Sequence, residues 1–410
     1  MKTKFSINSI KDCDDLAGQR VFLRGALNVP VEVEFRDNDT KSRSSGDGVI
    51  TDDYRLQKLL PTIAYLREQG ARIILAGHMS GPGTTSPDGS GYGVKNVKSL
   101  KPLVKYFEEH FELTFITDYA SGAASDAVNA MGNGEVVLLE NLRQYEGEKA
   151  NDPAFAQMLA GYGDIYVNDA FPTTHRAHAS IVGVPTHLPA YAGLQFAREL
   201  EELSAILHPD HPFTFILGGA KFSTKLPLVE KFSGVADSVF VAGALANAYL
   251  AASGQPVGNS VLPEAEFDLS AGLASDALKL PTDVLTLSAD GETSVRSVAD
   301  VIDDETIVDL GPETLERMIA TCREAKLVVW NGPLGWYEKG YANATDRLAA
   351  ALKKVAGKTI LGGGDTTAVI LDDMSVDDFS FVSTAGGAMI TFLSEETLPG
   401  IESLQNNLTD

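Results

Sequence analysis

Short apolar runs rich in β-branched and aromatic residues recur along the chain, each cut by glycine, asparagine or proline. That pattern predicts buried strands rather than helix segments. In the first half strands are expected at Arg20–Leu27, Ala71–Gly77, Leu113–Thr117, Glu135–Leu139 and Asp164–Asn168. In the second half they are expected at Phe213–Leu217, Ser238–Ala242, Asp283–Leu287, Ile307–Leu310, Lys326–Trp330, Lys358–Leu361 and Phe379–Ser383. Between them lie segments with helical spacing of apolar positions, such as Asp53–Gln69, Ser99–Phe111 and Arg347–Val355. Alternation of this kind predicts an α/β fold of doubly wound parallel sheets, covered by helices on both faces and joined by right-handed crossovers.

At 410 residues the chain exceeds what one hydrophobic core supports. Two Rossmann-like lobes are therefore expected, 1–190 and 208–396, joined by a helix within 191–207. Leu194–Leu207 has the spacing for that helix, with Pro189 before it and His-Pro-Asp-His-Pro after it. The polar stretch Val31–Gly48 and the Gly/Ser/Pro-rich stretch Gly81–Gly93 read as mobile surface loops.

Composition narrows the class. A hydrophobic fraction of 44% and a charged fraction of 22% are those of a soluble globular protein. With 33 Lys+Arg against 56 Asp+Glu the net charge is −23, which argues against nucleic acid or an anionic membrane as partner. Any site for an anion must then be assembled locally. The segment MKTKFSINSIKDCDD has no apolar signal core, and no run reaches the ~18 residues of a membrane span. Cys13 and Cys322 are far apart and lack metal spacing, as expected of a reducing cytoplasm without structural disulfides.

The chemistry concentrates where strands end. In LVVWNGPLGWYEKG the apolar run stops at Asn331-Gly332-Pro333, and Glu338 follows just beyond. LGGAKFSTK (Leu217 to Lys225) and LGGGDT (Leu361 to Thr366) repeat the logic. Ligands of open α/β sheets bind outside such strand ends. Glycine lets backbone approach a ligand, and amides opening a helix favour anions. Lys221 and Lys225 therefore read as phosphate contacts, the plain alternative being a solvated helix face. Asp365 is suited to hold Mg²⁺ beside phosphates or to cap a helix starting at Thr366. LGGGDT is not a GxGxxG fingerprint, so a dinucleotide fold is not indicated. In TAGGAM, the amides of Gly386 and Gly387 could cradle a transferred phosphoryl group.

The first half offers cations instead: Arg24, Arg55, His78, Arg143, His175, Arg176 and His178. Arginine's planar fork suits carboxylate and phosphate, and four arginines near strand ends of an acidic chain suggest an anion pocket. No Ser–His–Asp order, HExxH, CxxC or kinase HRD loop is present. A phosphoryl acceptor that is already a carboxylate needs no base, so positioning and charge stabilisation suffice.

These motifs, with LLENLR, VNDAF and THRAHAS, resemble those of the phosphoglycerate kinase family, in family order from SIKDCDDLAGQRVFLRGALNVP to STAGGAMITFLSEETLPGIESL. The resemblance implies a two-lobed enzyme of glycolysis and gluconeogenesis. It would move a phosphoryl group reversibly between 1,3-bisphosphoglycerate and MgADP, giving 3-phosphoglycerate and MgATP, with lobe closure. It further implies glycerate contacts at Asn28, Arg55, His78, Arg143 and Arg176, to which the anion-pocket reading adds Arg24. Arg55, Lys225, Gly386 and Gly387 would act on the moving phosphoryl group. Lys221, Lys225, Asn331, Glu338, Gly363, Gly364, Asp365 and Thr366 would hold the nucleotide, with Asp365 on Mg²⁺. Residues 397–410 would fold back onto the first lobe. ATP or ADP and the glycerate are the only partners expected, for a monomer in the cytoplasm.

The departures from the family pattern fall mostly in the first half. Ala26 stands for a substrate-binding aspartate, Gly81 for a substrate-binding arginine, and Pro172 for a glycine; in the second half Ala385 replaces a glycine. A charged hydrogen bond is worth about 1.5–3 kcal/mol, so two losses would lower catalytic efficiency by roughly two to four decades. Two other readings stay open, a nucleotide-binding homologue with weak transfer and a kinase for another small carboxylic acid. For the Val31–Gly48 loop two readings stand side by side: one of Arg36, Lys41 and Arg43 replaces the cation missing at Gly81, or the loop is a solvated insertion with no catalytic part.

Overall fold

The structure is a computed structural model that describes residues 5–33, 48–80, 99–120, 122–371 and 374–407. The chain divides into two compact units, Met1–Glu201 with Thr397–Asp410, and Glu202–Glu396. The division falls inside the helix Leu194–Ile206.

Unit 1 holds β1 (Arg20–Gly25), β2 (Val31–Val33), β3 (Gly48–Ile50), β4 (Arg72–Ala76), β5 (Leu113–Ile116), β6 (Val136–Leu139), β7 (Ile165–Asp169) and β8 (Ala190–Ala192). Six of them form a parallel sheet in the order β5-β6-β4-β1-β7-β8. Leu23 of β1 pairs with Leu75 of β4 and with Val167 of β7. The central strands are buried along nearly their whole length, because helices cover both faces and continuous apolar runs are what such strands require. Helix Tyr54–Glu68 turns Leu56, Leu59, Ile63 and Leu66 into the core against Val21, Leu23 and Leu75. Helix Pro153–Ala160 starts with proline and is capped by Asp152, whose carboxylate accepts the Phe155 N–H at 2.8 Å. At the two ends of the stretch expected to be a mobile loop, β2 and β3 pair antiparallel; residues 34–47 lie outside the described residues. Arg36, Lys41 and Arg43, and Gly81 with the rest of its loop, lie outside the described residues.

Unit 2 holds β9 (Phe213–Leu217), β10 (Ser238–Val241), β11 (Leu278–Lys279), β12 (Asp283–Leu287), β13 (Thr293–Ser297), β14 (Thr306–Leu310), β15 (Leu327–Asn331), β16 (Lys358–Gly362) and β17 (Phe381–Val382). Its parallel sheet runs β11-β10-β9-β15-β16-β17. Two of the strands expected there, β12 and β14, belong elsewhere: with β13 they form a separate antiparallel sheet in the order β13-β12-β14. A turn at Asp290-Gly291, with Gly291 at φ +85°, joins β12 to β13.

Both parallel sheets are wound alike. The first strand, β1 or β9, is central; the chain proceeds to one side and then returns to the other through β7 or β15. The connections leaving β1 and β7, and those leaving β9 and β15, therefore diverge at a topological switch point, where open α/β sheets bind ligands. Helix Pro399–Asn406 belongs to unit 1: Gly400 N–H donates to Thr174 O at 3.0 Å, and the Asn407 amide donates to Pro185 O and Leu188 O. Both cysteines are free. Among the described residues no helix is long and apolar enough to cross a membrane.

Candidate active site

In unit 2 the switch point is built by glycines that have no alternative. Gly218, just past β9, donates its N–H to Asn331 O at 2.9 Å, and a Cβ on it would run into the carbonyls of Gly332 and Pro333. Gly332 has φ +97°, and its Cβ would meet Gly218 O and the Lys225 ammonium. With both side chains absent, Lys225 of helix Phe222–Ser233 folds inward, 5% exposed, and its Nζ bonds Gly218 O. Lys221 stands exposed at the start of the same helix.

A cavity opens beside these loops. Leu250, Val284, Ile307 and Leu334 wall it with hydrocarbon, while Lys221, Lys225 and Glu338 bring charge to its lining. An apolar slot with a few convergent polar groups suits a flat base carrying a ribose and phosphates. Asp309 also lines it. Burial pushes its carboxyl up to about 6, although the N–H groups of Leu310 and Ala344 bond it.

The other expected nucleotide residues gather at the ends of β15 to β17, outside that lining. Asn331 ends β15 with its amide 3.9 Å from Met389 Sδ. Gly332 N–H donates to Thr366 Oγ1 at 2.7 Å, which ties the Asn-Gly-Pro turn to the Gly-Gly-Asp-Thr loop. Gly363 takes φ +107°, and the next helix begins at Gly364. Asp365 is thus inside the first turn and is not the cap of a helix from Thr366; its side chain lies outside the described residues. Gly386 (φ +56°) precedes helix Gly387–Glu395, and a Cβ on Gly364 or Gly387 would meet nothing within 4 Å.

In unit 1 the cations cluster at the switch point between β1 and β7. Arg24, the penultimate residue of β1, is fully buried. Its Nε donates to Ser180 Oγ at 2.9 Å, its Nη1 to Gly25 O, and its Nη2 sits 2.8 Å from His78 Nδ1. Ser180 Oγ–H in turn donates a hydrogen bond to the buried Glu148 Oε1 at 2.6 Å. Arg143 is buried in the turn Leu142–Gln144 and reaches Ser80 Oγ at 3.2 Å. Ser80 N–H in turn donates to Asn28 Oδ1 at 2.7 Å, and Arg55 Nη1 donates to Asn28 O at 2.8 Å. Arg176 lies exposed after β7, its Nε 3.2 Å from His175 Nε2.

The field of this cluster registers on its bases. Burial, then Arg176 and Arg143, lower His175 to about 4. Burial, Arg143 and Arg176 lower His178 to about 3, despite Glu148 Oε1 at 3.9 Å from its Nδ1. Burial lowers the Arg24 and Arg55 guanidinium groups too. Lys149, which sequence reasoning missed, is half-buried here and is lowered by burial and by Arg143 and Arg176. Its signal was available: it follows closely after the Arg143 motif in LLENLRQYEGEK.

A cationic anion pocket on one parallel α/β unit and a base-sized cavity with two lysines on another define a phosphotransferase acting on small acidic molecules. The phosphoglycerate kinase family model matches residues 10–396, and the chain belongs to that family. It is 38% identical to the phosphoglycerate kinase of Caulobacter vibrioides NA1000, across 96% of this chain and 98% of the relative. It is 36% identical to that of Sinorhizobium fredii, across 97% and 99%. The solved structure of phosphoglycerate kinase from Coxiella burnetii superposes with a TM-score of 0.79 at 32% identity, covering 98% of this chain and 99% of that one. That of the Pyrococcus horikoshii enzyme gives 0.81 at 26%, with the same coverage. The reaction is phosphoryl transfer between 1,3-bisphosphoglycerate and ADP, giving 3-phosphoglycerate and ATP, with a carboxyl group as acceptor.

Proposed function

We propose that the cationic pocket of unit 1 binds the glycerate and that the cavity of unit 2 binds the nucleotide, with Arg55 and Lys225 acting on the moving phosphoryl group. The observation carrying this reading is the density of positive charge at the unit 1 switch point. Arg24, Arg143, Arg176 and Lys149 approach closely enough to lower their neighbours' proton affinity, in a chain of net charge −23. Cations held together in partial burial are costly until an anion joins them. Glu148, the buried carboxylate beside them, is engaged by the hydroxyl and N–H of Ser180. It is not poised as a base, which suits an acceptor that arrives ionised.

Asn28, Arg55, His78, Arg143 and Arg176 are the proposed glycerate contacts. Lys221, Asn331, Glu338 and Gly363 to Thr366 are proposed for the nucleotide, and Gly386 and Gly387 for the phosphoryl in flight. Mg²⁺ would be held by Asp365, the residue after Gly364, where a Cβ would meet nothing within 4 Å; a single carboxylate suits an ion that keeps most of its waters. Bound there, the metal would neutralise phosphate charge. Arg55 would orient the phosphoryl group, and Lys225 would exchange Gly218 O for a phosphate oxygen.

We further propose that binding of 3-phosphoglycerate is weaker than in relatives that keep the aspartate and arginine replaced by Ala26 and Gly81, and that the protein works as a cytoplasmic monomer. A coupled assay with purified protein, MgATP and 3-phosphoglycerate, beside a panel of related hydroxy acids, tests the substrate. Transfer to 3-phosphoglycerate with a raised KM is expected. Faster transfer to another acid would reassign the pocket, and light scattering at more than one chain's mass would overturn the monomer.

A further inference from the structure

The sequence presents Arg24 as one more cation for the substrate, but its guanidinium is already committed. The side chain is fully buried, and its three nitrogens face Ser180 Oγ, Gly25 O and His78 Nδ1. We infer that Arg24 is a positioning residue that locks His78 in a single tautomer, with Nδ1 bare and the proton on Nε2, so that the ring meets the substrate as a neutral, directed donor. The inference rests on the reading of this pocket as the glycerate site.

The argument is one of donor and acceptor inventory. A guanidinium carries five N–H donors and no acceptor. At 2.8 Å from Arg24 Nη2, His78 Nδ1 must therefore accept, and a hydrogen there would point at another hydrogen. The guanidinium has no room to turn aside. Its Nε–H is paired with Ser180 Oγ, which is itself oriented by donating to Glu148 Oε1 at 2.6 Å, while Ser180 N–H holds Oε2 at 3.0 Å. Tyr166 O–H donates to Ser180 O at 2.7 Å and fixes that backbone from below. The order Glu148, Ser180, Arg24, His78 is thus a buried relay in which every proton has one place. Breaking it would leave the Glu148 charge uncompensated in the interior, a strongly unfavourable arrangement.

Double protonation of the ring is opposed from every element around it. β1 presents Arg24, the turn after β6 presents Arg143, and the segment after β7 presents Arg176 and His178. Burial, then Arg143, Arg24 and Arg176, hold His78 well below the usual histidine range. The arginines supply charge, whereas His78 supplies direction through Nε2–H.

Long-range imidazole ¹H–¹⁵N spectra of the ¹⁵N-labelled full-length chain test this directly, with His78 assigned from His78→Gln. Over about pH 5.5 to 8, the span where an ordinary histidine titrates, Nδ1 should resonate as an unprotonated nitrogen and Nε2 as a protonated one, both unmoved. A protonated Nδ1, or a midpoint inside that range, overturns the inference. Arg24→Lys keeps the charge but loses the fork; the His78 signals should then report mixed tautomers, and an unchanged tautomer overturns the role of Arg24. Should that variant fail to fold, the amide isosteres decide. In His78→Gln the amide N–H stands near the Nε2 position, and KM for 3-phosphoglycerate should rise less than in His78→Asn. In His78→Asn it stands near Nδ1, and KM should rise about tenfold or more, the size of one hydrogen bond to a charged group. Equal losses in the two variants overturn the proposal. Because the spectra need no substrate, a wrong tautomer and a wrong substrate give separable results.

Discussion

The ammonium group of Lys225 is bonded to the carbonyl oxygen of Gly218, the first residue past β9. A charge parked on a backbone dipole is available to a phosphate at little reorganisation. Its value should then be greatest as the phosphoryl group moves. Lys225→Ala is expected to lower kcat by about 10²–10³, as for loss of one preorganised electrostatic contact, and to weaken ATP binding far less. Titration calorimetry beside steady-state kinetics separates the two, and equal losses in both would argue against the role.

Gly332→Ala meets two obstacles at once, the positive φ and the collision with Gly218 O and Lys225 Nζ. Gly340, at φ +86° with nothing within 4 Å of its Cβ, meets only the first. Gly340→Ala should cost about 1–2 kcal/mol in urea unfolding. Gly332→Ala should cost more and abolish most activity; equal stabilities would contradict the close approach of the two loops.

Restoring the charges the family pattern carries makes a third case. Ala26→Asp with Gly81→Arg should raise kcat/KM for 3-phosphoglycerate by about tenfold or more, given about 1.5–3 kcal/mol per charged hydrogen bond. A flat or reduced value would indicate a pocket shaped around another acid.

Asp169 predicts a pH effect on stability. Burial pushes its carboxyl up to about 7, against the pull of the Thr62 side chain and of the Phe196 and Gln195 backbone N–H groups. In the unfolded chain it titrates near ~3.9. Between those values the folded state holds a proton that the unfolded state releases, so this group's contribution falls as pH rises from about 4 to about 7. Asp169→Asn removes the titration, and its oxygen can still accept from Phe196 N–H. Relative to the parent, the variant should gain stability progressively across that window and level off above it. Urea midpoints taken at about pH 4.5, 6 and 8 check this, and a pH-independent difference would refute the assignment.

The parallel sheets were legible because a strand covered on both faces must be largely apolar, as Val136–Leu139 is throughout and Phe213–Leu217 is apart from Thr214. β13 was not, since Thr293–Ser297 alternates between exposed and half-buried positions and carries little hydrophobic signal. With it unseen, β12 and β14 had no antiparallel partner to suggest itself. The two-residue strand β11 offers too few positions for any period, whereas β17 falls inside the expected Phe379–Ser383. In the site, the glycine loops announced themselves because close backbone approach excludes side chains. The cavity wall did not: Leu250, Val284 and Ile307 look like any core residues in a sequence. Nor could the burial of Arg24 be read, because its partner Ser180 lies 156 residues away.

The stretch that presents Arg176 and His178 is fastened by residues synthesised long after it. Gly400 holds Thr174 O, Ser403 holds Ile181 O, and Asn407 holds Pro185 O, Leu188 O and Ala190 N–H. All of unit 2 is translated in between. The usual order, in which the amino-terminal domain finishes first on the ribosome, is therefore inverted for these contacts. A chain released before residue 397 would contain every strand of the unit 2 sheet, while the rim of the unit 1 cation cluster would still be untied.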